Sequence, residues 1–124
     1  MKKTILVVDD ETGFREMISF ALSGYGFNIL TAGDGAQAVE QFKDHHIDFI
    51  ITDMKMPKMD GLDVISSVKE INADIPVVIM TGFAIEERVQ KALGYKAVSC
   101  LRKPFNIKEL HDIIQKSLGA IDRQ

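Results

Sequence analysis

Acidic side chains follow two apolar segments of this sequence. Asp9 and Asp10 come directly after the run ILVV, and Asp53 comes directly after the run FIIT. Two carboxylates about 4 Å apart repel each other by about 4 kcal/mol at an effective dielectric constant of about 20. Three in one place therefore need a cation, and Mg²⁺ typically takes one or two carboxylates together with water and phosphate oxygens. If the fold brings the three together, the sequence predicts a metal site.

A hydroxyl group and a cation stand at equivalent places after two later apolar runs. Thr81, followed by Gly82, comes after VVIM, and Lys103, followed by Pro104, comes shortly after AVSCL. Taken alone, Thr81 would be interpreted as a structural strand residue. Lys103 alone could be an exposed, solvated lysine, which is the usual state of lysine. A residue before proline has a restricted backbone, however, and an X–Pro peptide can be cis. Together with three acids, these residues would form a site that positions an anionic group.

Five short apolar runs rich in β-branched residues alternate with helical patterns. Continuous runs are typical of parallel strands that helices cover on both faces, and the alternation predicts repeated βαβ units. Right-handed crossovers leave few arrangements of such a sheet, and ligands bind at the carboxyl edge of its strands. The acids, the hydroxyl and the lysine are all expected at that edge. The predicted strands are Ile5–Val8, Ile29–Ala32, Phe49–Thr52, Val77–Met80 and Ala97–Leu101.

Apolar residues at helical spacing predict an amphipathic helix after each strand. The first helix is expected to end near Gly24. Asp34 with Gln37, and Asn106 with Glu109, resemble capping boxes that would begin the second and fifth helices. The predicted apolar stripes are Phe14, Met17, Ile18, Ala21, Leu22 and Tyr25; Ala38, Val39 and Phe42; Leu62, Ile65, Val68 and Ile71; Ile85, Val89, Ala92 and Leu93; and Leu110, Ile113, Ile114, Leu118 and Ile121.

Length and composition narrow the class of protein. The 124 residues are 46% hydrophobic and 27% charged, as expected for one globular domain spanning residues 1–124. The net charge of -3 disfavours direct binding to nucleic acid. The single cysteine, Cys100, excludes an internal disulfide framework and fits a reducing compartment. The N-terminal apolar run is too short for a signal peptide or a membrane span, so the expected location is the cytoplasm, without membrane contact.

Four segments of the sequence resemble the motifs of a known family: VVDDE, ITDMKMPKMDG, VIMTG and LRKPF. In this order and spacing they resemble the receiver domain of bacterial two-component response regulators of the chemotaxis-regulator type, over essentially the whole chain. The resemblance implies an α/β, flavodoxin-like (βα)5 fold, doubly wound around a parallel five-stranded sheet in the order 2-1-3-4-5. A chemotaxis regulator of this family is a standard example of that order.

The resemblance also implies a role for each residue at the predicted edge. Asp53 would accept a phosphoryl group from a histidine kinase or a histidine phosphotransfer protein. Thr81 and the backbone N–H of Gly82 would bind phosphoryl oxygens, and Lys103 would pair with another, ahead of a cis bond to Pro104. The cofactor would be Mg²⁺, which Mn²⁺ can replace. Its ligands would be Asp9, Asp10, Asp53 and the backbone carbonyl of Lys55.

The resemblance implies a signalling switch that catalyses its own phosphorylation and a slow loss of the phosphoryl group, and not an enzyme in the usual sense. Lys55 and Phe83 lie two residues after Asp53 and Thr81, where their bulk could obstruct an attacking water molecule. The alternative is that both simply face solvent. One position departs from the family pattern, because Cys100 stands where many receivers carry an aromatic residue that swings inward on activation. An aromatic switch is therefore not expected.

Apolar residues near the predicted edge are candidates for docking a partner, since contiguous exposed apolar groups mark protein interaction sites. No DNA-binding segment follows the predicted domain in this sequence, so output through a downstream protein target is expected. The patch resembles that of single-domain sporulation phosphorelay intermediates, which dock a helical bundle carrying the histidine. Phe14 and Phe105 could equally be core residues. The candidates are Gly13, Phe14, Met17, Phe83, Pro104 and Phe105.

Four other functions are weighed against this one. The sequence could be the receiver domain of a longer transcriptional regulator. A phosphatase of the haloacid dehalogenase type also forms an aspartyl-phosphate, but it would carry a second aspartate where this chain has Lys55. A flavodoxin would need a Ser/Thr/Gly-rich loop after the first strand, where acids here would repel phosphate. A purely structural module would not need Thr81 and Lys103.

Overall fold

The computed structural model of the chain describes residues 2–82 and 86–122, with side chains as far as residue 119. Within these residues, five parallel strands form one sheet in the order β2-β1-β3-β4-β5, and a helix follows each strand. The predicted flavodoxin-like fold is confirmed. The elements are β1 (Thr4–Val8), α1 (Thr12–Gly24), β2 (Asn28–Ala32), α2 (Gly35–Asp44), β3 (Phe49–Asp53), α3 (Gly61–Ile71), β4 (Val77–Thr81), α4 (Glu87–Leu93), β5 (Val98–Arg102) and α5 (Ile107–Asp122).

Helices cover the sheet on both faces, which explains the continuous apolar runs in the strands. In β1, Ile5 and Val7 pack towards α1 and α5, whereas Leu6 and Val8 pack towards α2, α3 and α4. All four of these side chains are fully buried. Each strand begins and ends within one residue of its predicted bounds, because an apolar run buried on both faces has clear limits in the sequence.

The register of the strands brings the polar residues at their ends together. Val8 pairs with Thr52 in the neighbouring strand, so that Asp9 and Asp53, the next residues, stand side by side. Thr81 pairs with Arg102, the residue before Lys103. The carboxyl edge of the sheet therefore collects the acids, the hydroxyl and the lysine, as predicted.

Side chains cap the N-termini of α2 and α5 at the predicted residues, Asp34 and Asn106. The Asp34 carboxylate accepts a hydrogen bond of 2.8 Å from the N–H of Gln37. The return bond differs from a capping box, because the Gln37 side chain accepts from the N–H of Gly33 at 2.9 Å. At the start of α5, Asn106 and Glu109 cap each other, with bonds of 2.8 Å and 3.5 Å.

The start of α3 carries a capping box that was not predicted. The side chains of Asp60 and Asp63 each accept a 3.0 Å hydrogen bond from the other's backbone N–H. Arg88 of α4 contacts both carboxylates and so ties α4 to the start of α3. Burial alone would raise the pKa of Asp60, but hydrogen bonds from Arg88 and from the N–H of Asp63 bring that pKa below its ordinary value.

The helical stripes are narrower than predicted. In α1, Ile18 and Leu22 are buried, whereas Met17 is about half exposed. Tyr25, directly after the helix, is also about half exposed. Tyr25 instead stacks on His111 of α5, with ring centroids 3.8 Å apart. Of the other stripe residues, Ile71 is half exposed, and Ile85 and the side chain of Ile121 lie outside the described residues. None of the described helices is both long and apolar enough to cross a membrane.

A buried lysine joins two loops at the opposite edge of the sheet from the acids. Lys69 of α3 donates hydrogen bonds to the carbonyl groups of Ala73, at 3.1 Å, and Ile75, at 2.5 Å, and also to that of Lys96. Burial lowers the pKa of Lys69 below its ordinary value. These bonds hold the loop before β4 against the loop before β5. They thereby help to set the spacing between β4, which ends at Thr81, and β5, which ends one residue before Lys103.

Gly61 allows α3 to approach the end of β3 closely. Its N–H donates a 2.8 Å hydrogen bond to the carbonyl of Met54. A Cβ atom at this position would lie 2.9 Å from the carbonyl oxygen of Asp53 and 3.1 Å from the Cα of Met54. Both contacts involve backbone atoms, which cannot move aside without displacing Asp53.

Replacing Gly61 by alanine should therefore lower the free energy of unfolding by about 1–3 kcal/mol, the usual effect of forcing an extra carbon into a tightly packed site. The control is Gly119→Ala in α5, where an added Cβ would meet no atom within 4 Å. That change should be neutral or stabilise by up to about 1 kcal/mol, the helix propensity difference. Urea unfolding measures both, and an equal effect of the two changes would contradict the close approach.

Candidate functional site

Three carboxylates meet at the carboxyl edge of the sheet. Asp9, Asp10 and Asp53 each place one oxygen within 4.8 Å of the others. Asp9 is buried, with 1% of its surface exposed, Asp53 is partly buried and Asp10 is exposed. The predicted acid cluster is thus formed, with one member inside the protein and one at its surface.

Asp9 is held in place on three sides. Its Oδ1 accepts a 2.9 Å hydrogen bond from the N–H of Glu11, and its own N–H donates to the carbonyl of Ala32 at 3.2 Å. Arg15 of α1 donates to the Asp9 carbonyl at 2.7 Å. The other carboxylate oxygen, Oδ2, is buried without a hydrogen-bond partner. A buried oxygen in this state is costly unless a cation or a donor meets it.

Lys103 brings one positive charge to the three acids. Its Nζ lies 3.4 Å from Oδ1 of Asp53 and 3.8 Å from Oδ2 of Asp9. The Phe14 ring supports the same ammonium group, with 4.6 Å between Nζ and the ring centroid. The backbone N–H of Lys103 donates to the carbonyl of Thr81 at 2.8 Å, and the bond to Pro104 is cis. The lysine is therefore aimed at the acids, but it balances only part of their charge.

Burial and mutual repulsion disfavour the ionised acids. Burial raises the pKa of Asp53 above its ordinary value of 3.8, and the nearby Lys103, which lowers it, does not offset this effect. Burial also raises the pKa of Asp9. The charges of Asp53 and Asp10 raise the Asp9 pKa further, and the N–H of Glu11 and Lys103 oppose them. Both acids would gain from a second cation.

The remaining site residues lie around this cluster. Thr81 is buried at the end of β4, and Gly82 is exposed beside it, in a place where even an added Cβ would meet no atom within 4 Å. Lys55 is exposed, two residues beyond Asp53. Cys100 is half buried in β5, where it packs against the core on the side of α2, α3 and α4. Phe83 lies outside the described residues.

Four of the six predicted docking residues, Phe14, Met17, Pro104 and Phe105, line a cavity that adjoins Lys103. It has a volume of about 460 Å³ and lies between α1 and the loop that joins β5 to α5. Gly13 and Pro104 are exposed and Met17 is half exposed, while Phe14 and Phe105 are partly buried and meet edge to face, 6.1 Å between centroids. The lining residues are Phe14, Met17, Ile18, Lys103, Pro104, Phe105 and Ile107.

Two contributors to the site were not predicted. Arg15 fixes the backbone of Asp9, and the Phe14 ring fixes the ammonium group of Lys103. An arginine one turn into a helix carries no distinguishing pattern, so nothing in the sequence indicates the contact of Arg15 with Asp9. Phe14 was predicted as a docking residue near the carboxyl edge of the sheet, and that position was the one indication of its contact with Lys103.

The geometry agrees with the family comparison. The family described as the response regulator receiver domain matches residues 5–115. The chain belongs to this family. It is 35% identical over 115 residues to transcriptional regulatory protein ZraR of Escherichia coli K12, and this covers 93% of the chain but 26% of that protein. It is 32% identical over 118 residues to sporulation initiation phosphotransferase F of Bacillus subtilis, covering 95% of each.

A solved receiver domain supports the same assignment. The receiver domain of the sensor histidine kinase PA1611 of Pseudomonas aeruginosa superposes with a TM-score of 0.86 at 26% identity, covering 96% of this chain and 99% of that one. Its structure has a magnesium ion coordinated in the active-site cleft. A related protein with the receiver fold therefore holds a metal ion in its active-site cleft.

Replacing Asp53 by asparagine should raise the free energy of unfolding of the metal-free protein near neutral pH, because the ionised carboxylate is disfavoured in the fold. A carboxyl group whose pKa is raised on folding is destabilising above the raised value, and this effect is gone below its ordinary value of 3.8. The advantage of Asp53→Asn should therefore shrink as the pH falls. Urea unfolding in chelator at several pH values measures it.

The matched control is Asp44→Asn, at the exposed end of α2. This change should leave the free energy of unfolding almost unaltered. A less stable Asp53→Asn protein near neutral pH, or an advantage that does not vary with pH, would contradict the proposed strain among the acids.

Proposed function

We propose that this receiver domain accepts a phosphoryl group on Asp53 from a phosphohistidine donor, with Mg²⁺ or Mn²⁺ as cofactor. The observation that carries the proposal is the buried Oδ2 of Asp9, which lacks a hydrogen-bond partner beside two further carboxylates. Lys103 adds the cation that a phosphoryl group would need. The protein would act as a switch and would lose its phosphoryl group slowly.

The donor set fits a hard divalent ion. All three side chains offer carboxylate oxygens, the class of ligand that Mg²⁺ prefers, and Asp10 is exposed, so that water can complete the coordination. Asp9, Asp10 and Asp53 would hold the ion, and the backbone carbonyl of Lys55 stays a predicted fourth ligand. Bound there, the ion would supply the positive charge that lets an anionic phosphoryl group approach an anionic carboxylate.

The chain's own residues would do the rest of the chemistry. A carboxylate oxygen of Asp53 would attack phosphorus, the new O–P bond replacing the N–P bond, and the donor histidine would leave as imidazole. Phosphoryl transfer asks mainly for positioning of the reacting groups and for neutralisation of the negative charge on the equatorial oxygens. Lys103 would neutralise one of these oxygens, and the hydroxyl of Thr81 with the N–H of Gly82 would bind others.

The cavity between α1 and the loop after β5 would receive the donor protein, a histidine kinase or a histidine phosphotransfer protein. It adjoins Lys103, so a partner seated there brings its histidine to Asp53. Met17, on α1, is a half-exposed apolar residue of its lining. The alternative of a receiver within a longer transcriptional regulator draws on ZraR, of which the chain matches 26%. A single-domain protein would pass its output to a protein target, whereas a receiver in a longer regulator would pass it to the rest of that chain. In neither case would this domain itself contact nucleic acid.

Asp53 should become labelled by a small donor such as acetyl phosphate, and only when Mg²⁺ or Mn²⁺ is present, because the three carboxylates otherwise repel the donor. Asp53→Asn should abolish the label, and Asp44→Asn should retain it. The measurement is incorporation of radioactive phosphate with and without chelator. Label that survives either the chelator or the loss of Asp53 would exclude the proposal, and rapid release of free phosphate with turnover would favour a phosphatase.

Met17→Ala should weaken phosphotransfer from the histidine donor by about tenfold, which corresponds to about 1.4 kcal/mol of lost docking energy. Labelling by acetyl phosphate should not change, since Met17 does not contact the acids. The control is Ile71→Ala, which removes a similarly exposed apolar group from α3. If Met17→Ala reduces both reactions equally, the side chain is structural and the cavity is not the docking site.

A further inference from the structure

Helix α1 presents an apolar face that nothing in the described part of the chain covers. Gly13, Met17, Phe20 and Gly24 follow one another at intervals of four, three and four residues, so that they share one side of the helix. We call these four residues the α1 stripe. The Phe20 side chain is 85% exposed and Met17 is 48% exposed, and a Cβ added to either glycine would meet no atom within 4 Å.

The α1 stripe differs from an ordinary solvated helix face in its lack of charge. From Met17 to Gly33 the sequence contains no Asp, Glu, Lys or Arg. The surface of a helix that faces only water normally carries such residues. Covering the stripe from Met17 to Gly24 would therefore desolvate no ionised side chain of that segment, and Glu16 lies at the edge of the stripe. An exposed apolar patch without charge is typical of a surface that another protein covers.

We propose that the α1 stripe binds the same stripe of a second copy of this chain, with the two helices antiparallel about a twofold axis between residues 18 and 19. This arrangement places Met17 against Phe20 of the second copy, and Gly13 against Gly24 of the second copy. Each pair then occurs twice, as a twofold interface requires. The large side chains fill the centre, and the glycines at the two ends let the helix backbones approach closely.

The residues beside the α1 stripe favour the antiparallel direction. Along one flank Glu16 comes next to Ser23 of the second copy, and along the other Phe14 comes next to Ala21 of the second copy, so no like charges face each other. A parallel pair would instead place Glu16 against its own copy and Phe20 against its own copy. Arg15, the other charged residue of α1, points to the Asp9 carbonyl and away from the interface.

The extent of the α1 stripe indicates a weak and reversible dimer. An aromatic residue buries roughly 150–250 Å². Two phenylalanines would therefore bury about 300–500 Å². With two half-exposed methionines and the flanking residues, the total would stay below the roughly 1,200–2,000 Å² of stable specific interfaces. The stripe would thus assemble only at elevated protein concentration, and the monomer would remain available.

Dimerisation would also control access to Asp53, a consequence that rests on the proposed function. Met17 belongs both to the α1 stripe and to the cavity proposed for the histidine donor. A second copy on α1 would cover Met17 and so exclude the donor, while leaving the acids open to acetyl phosphate. Phosphotransfer per molecule should fall as the dimer forms, and labelling by the small donor should not.

The first test is sedimentation equilibrium of the full chain across a range of concentration up to about 1 mM. Wild type should move from monomer to dimer, and Phe20→Glu should stay monomeric because it places a charge against Met17 of the second copy. The matched control Ile71→Glu makes the same change at another exposed apolar residue and should dimerise like wild type. A wild-type protein that stays monomeric, or a Phe20→Glu protein that dimerises normally, overturns the proposal.

Cysteine cross-linking tests the direction of the helices. In a Cys100→Ala background, Gly13→Cys and Gly24→Cys chains should form disulfides when mixed and much more slowly when each is alone. Eleven residues of helix separate the two positions by about 16 Å, whereas a disulfide needs Cα atoms within about 7 Å. Cross-linking of Gly13→Cys with itself, or no preference for the mixed pair, overturns the antiparallel arrangement.

These outcomes are separate from those of the proposed function. Sedimentation and cross-linking do not involve phosphate, so a monomeric wild-type protein that accepts the label at Asp53 refutes only the dimer. A dimer that takes no label refutes only the phosphoacceptor. If wild type and Phe20→Glu are both monomeric at every concentration and the variant loses phosphotransfer from the donor protein, the α1 stripe binds the donor. A second copy of the chain is then excluded as its partner.

Discussion

Three carboxylates that repel one another are held together at the carboxyl edge of the sheet by the pairing of its strands. The β-sheet register forces Asp9 beside Asp53, since the residues before them, Val8 and Thr52, are paired in adjacent strands. Relief would require sliding one strand past the other, which would move every buried side chain of that strand to the wrong face. The hydrophobic core thus holds the acids together against their charge. Burial raises the pKa values of Asp9 and Asp53, and the neighbouring carboxylates raise them further.

The groups around the acids limit this repulsion without removing it. Lys103 contributes one charge, and the Phe14 ring and the Thr81 carbonyl keep it aimed inward. Gly61 lets α3 approach the backbone of Asp53 without the clash that a side chain would cause. Because Lys103 faces three acids, its charge balances only part of theirs, and the proposed function assigns the remainder to a bound divalent ion.

The sequence predicted the features that depend on local pattern and failed where contacts join distant residues. Strand limits and the acids at the sheet edge follow from apolar runs that end in polar residues. The contacts of Arg88 with Asp60 and of Lys69 with the Lys96 carbonyl span more than 20 residues, and no periodicity announces them. Helical spacing also assigned Met17 to the packed stripe, since a period shows which residues share a face but not whether the fold covers it.

Helix α1 links the chemistry of the site to its surface. Its first turns hold Arg15, bonded to the Asp9 carbonyl, and Phe14, in contact with the Lys103 ammonium group, so the helix cannot shift without disturbing both residues. Its outer side carries Met17 and Phe20, which are exposed. Any protein that covers this outer side therefore binds a rigid element already fixed to the acids. Through these two contacts α1 forms a short physical connection between the acids and its own exposed side.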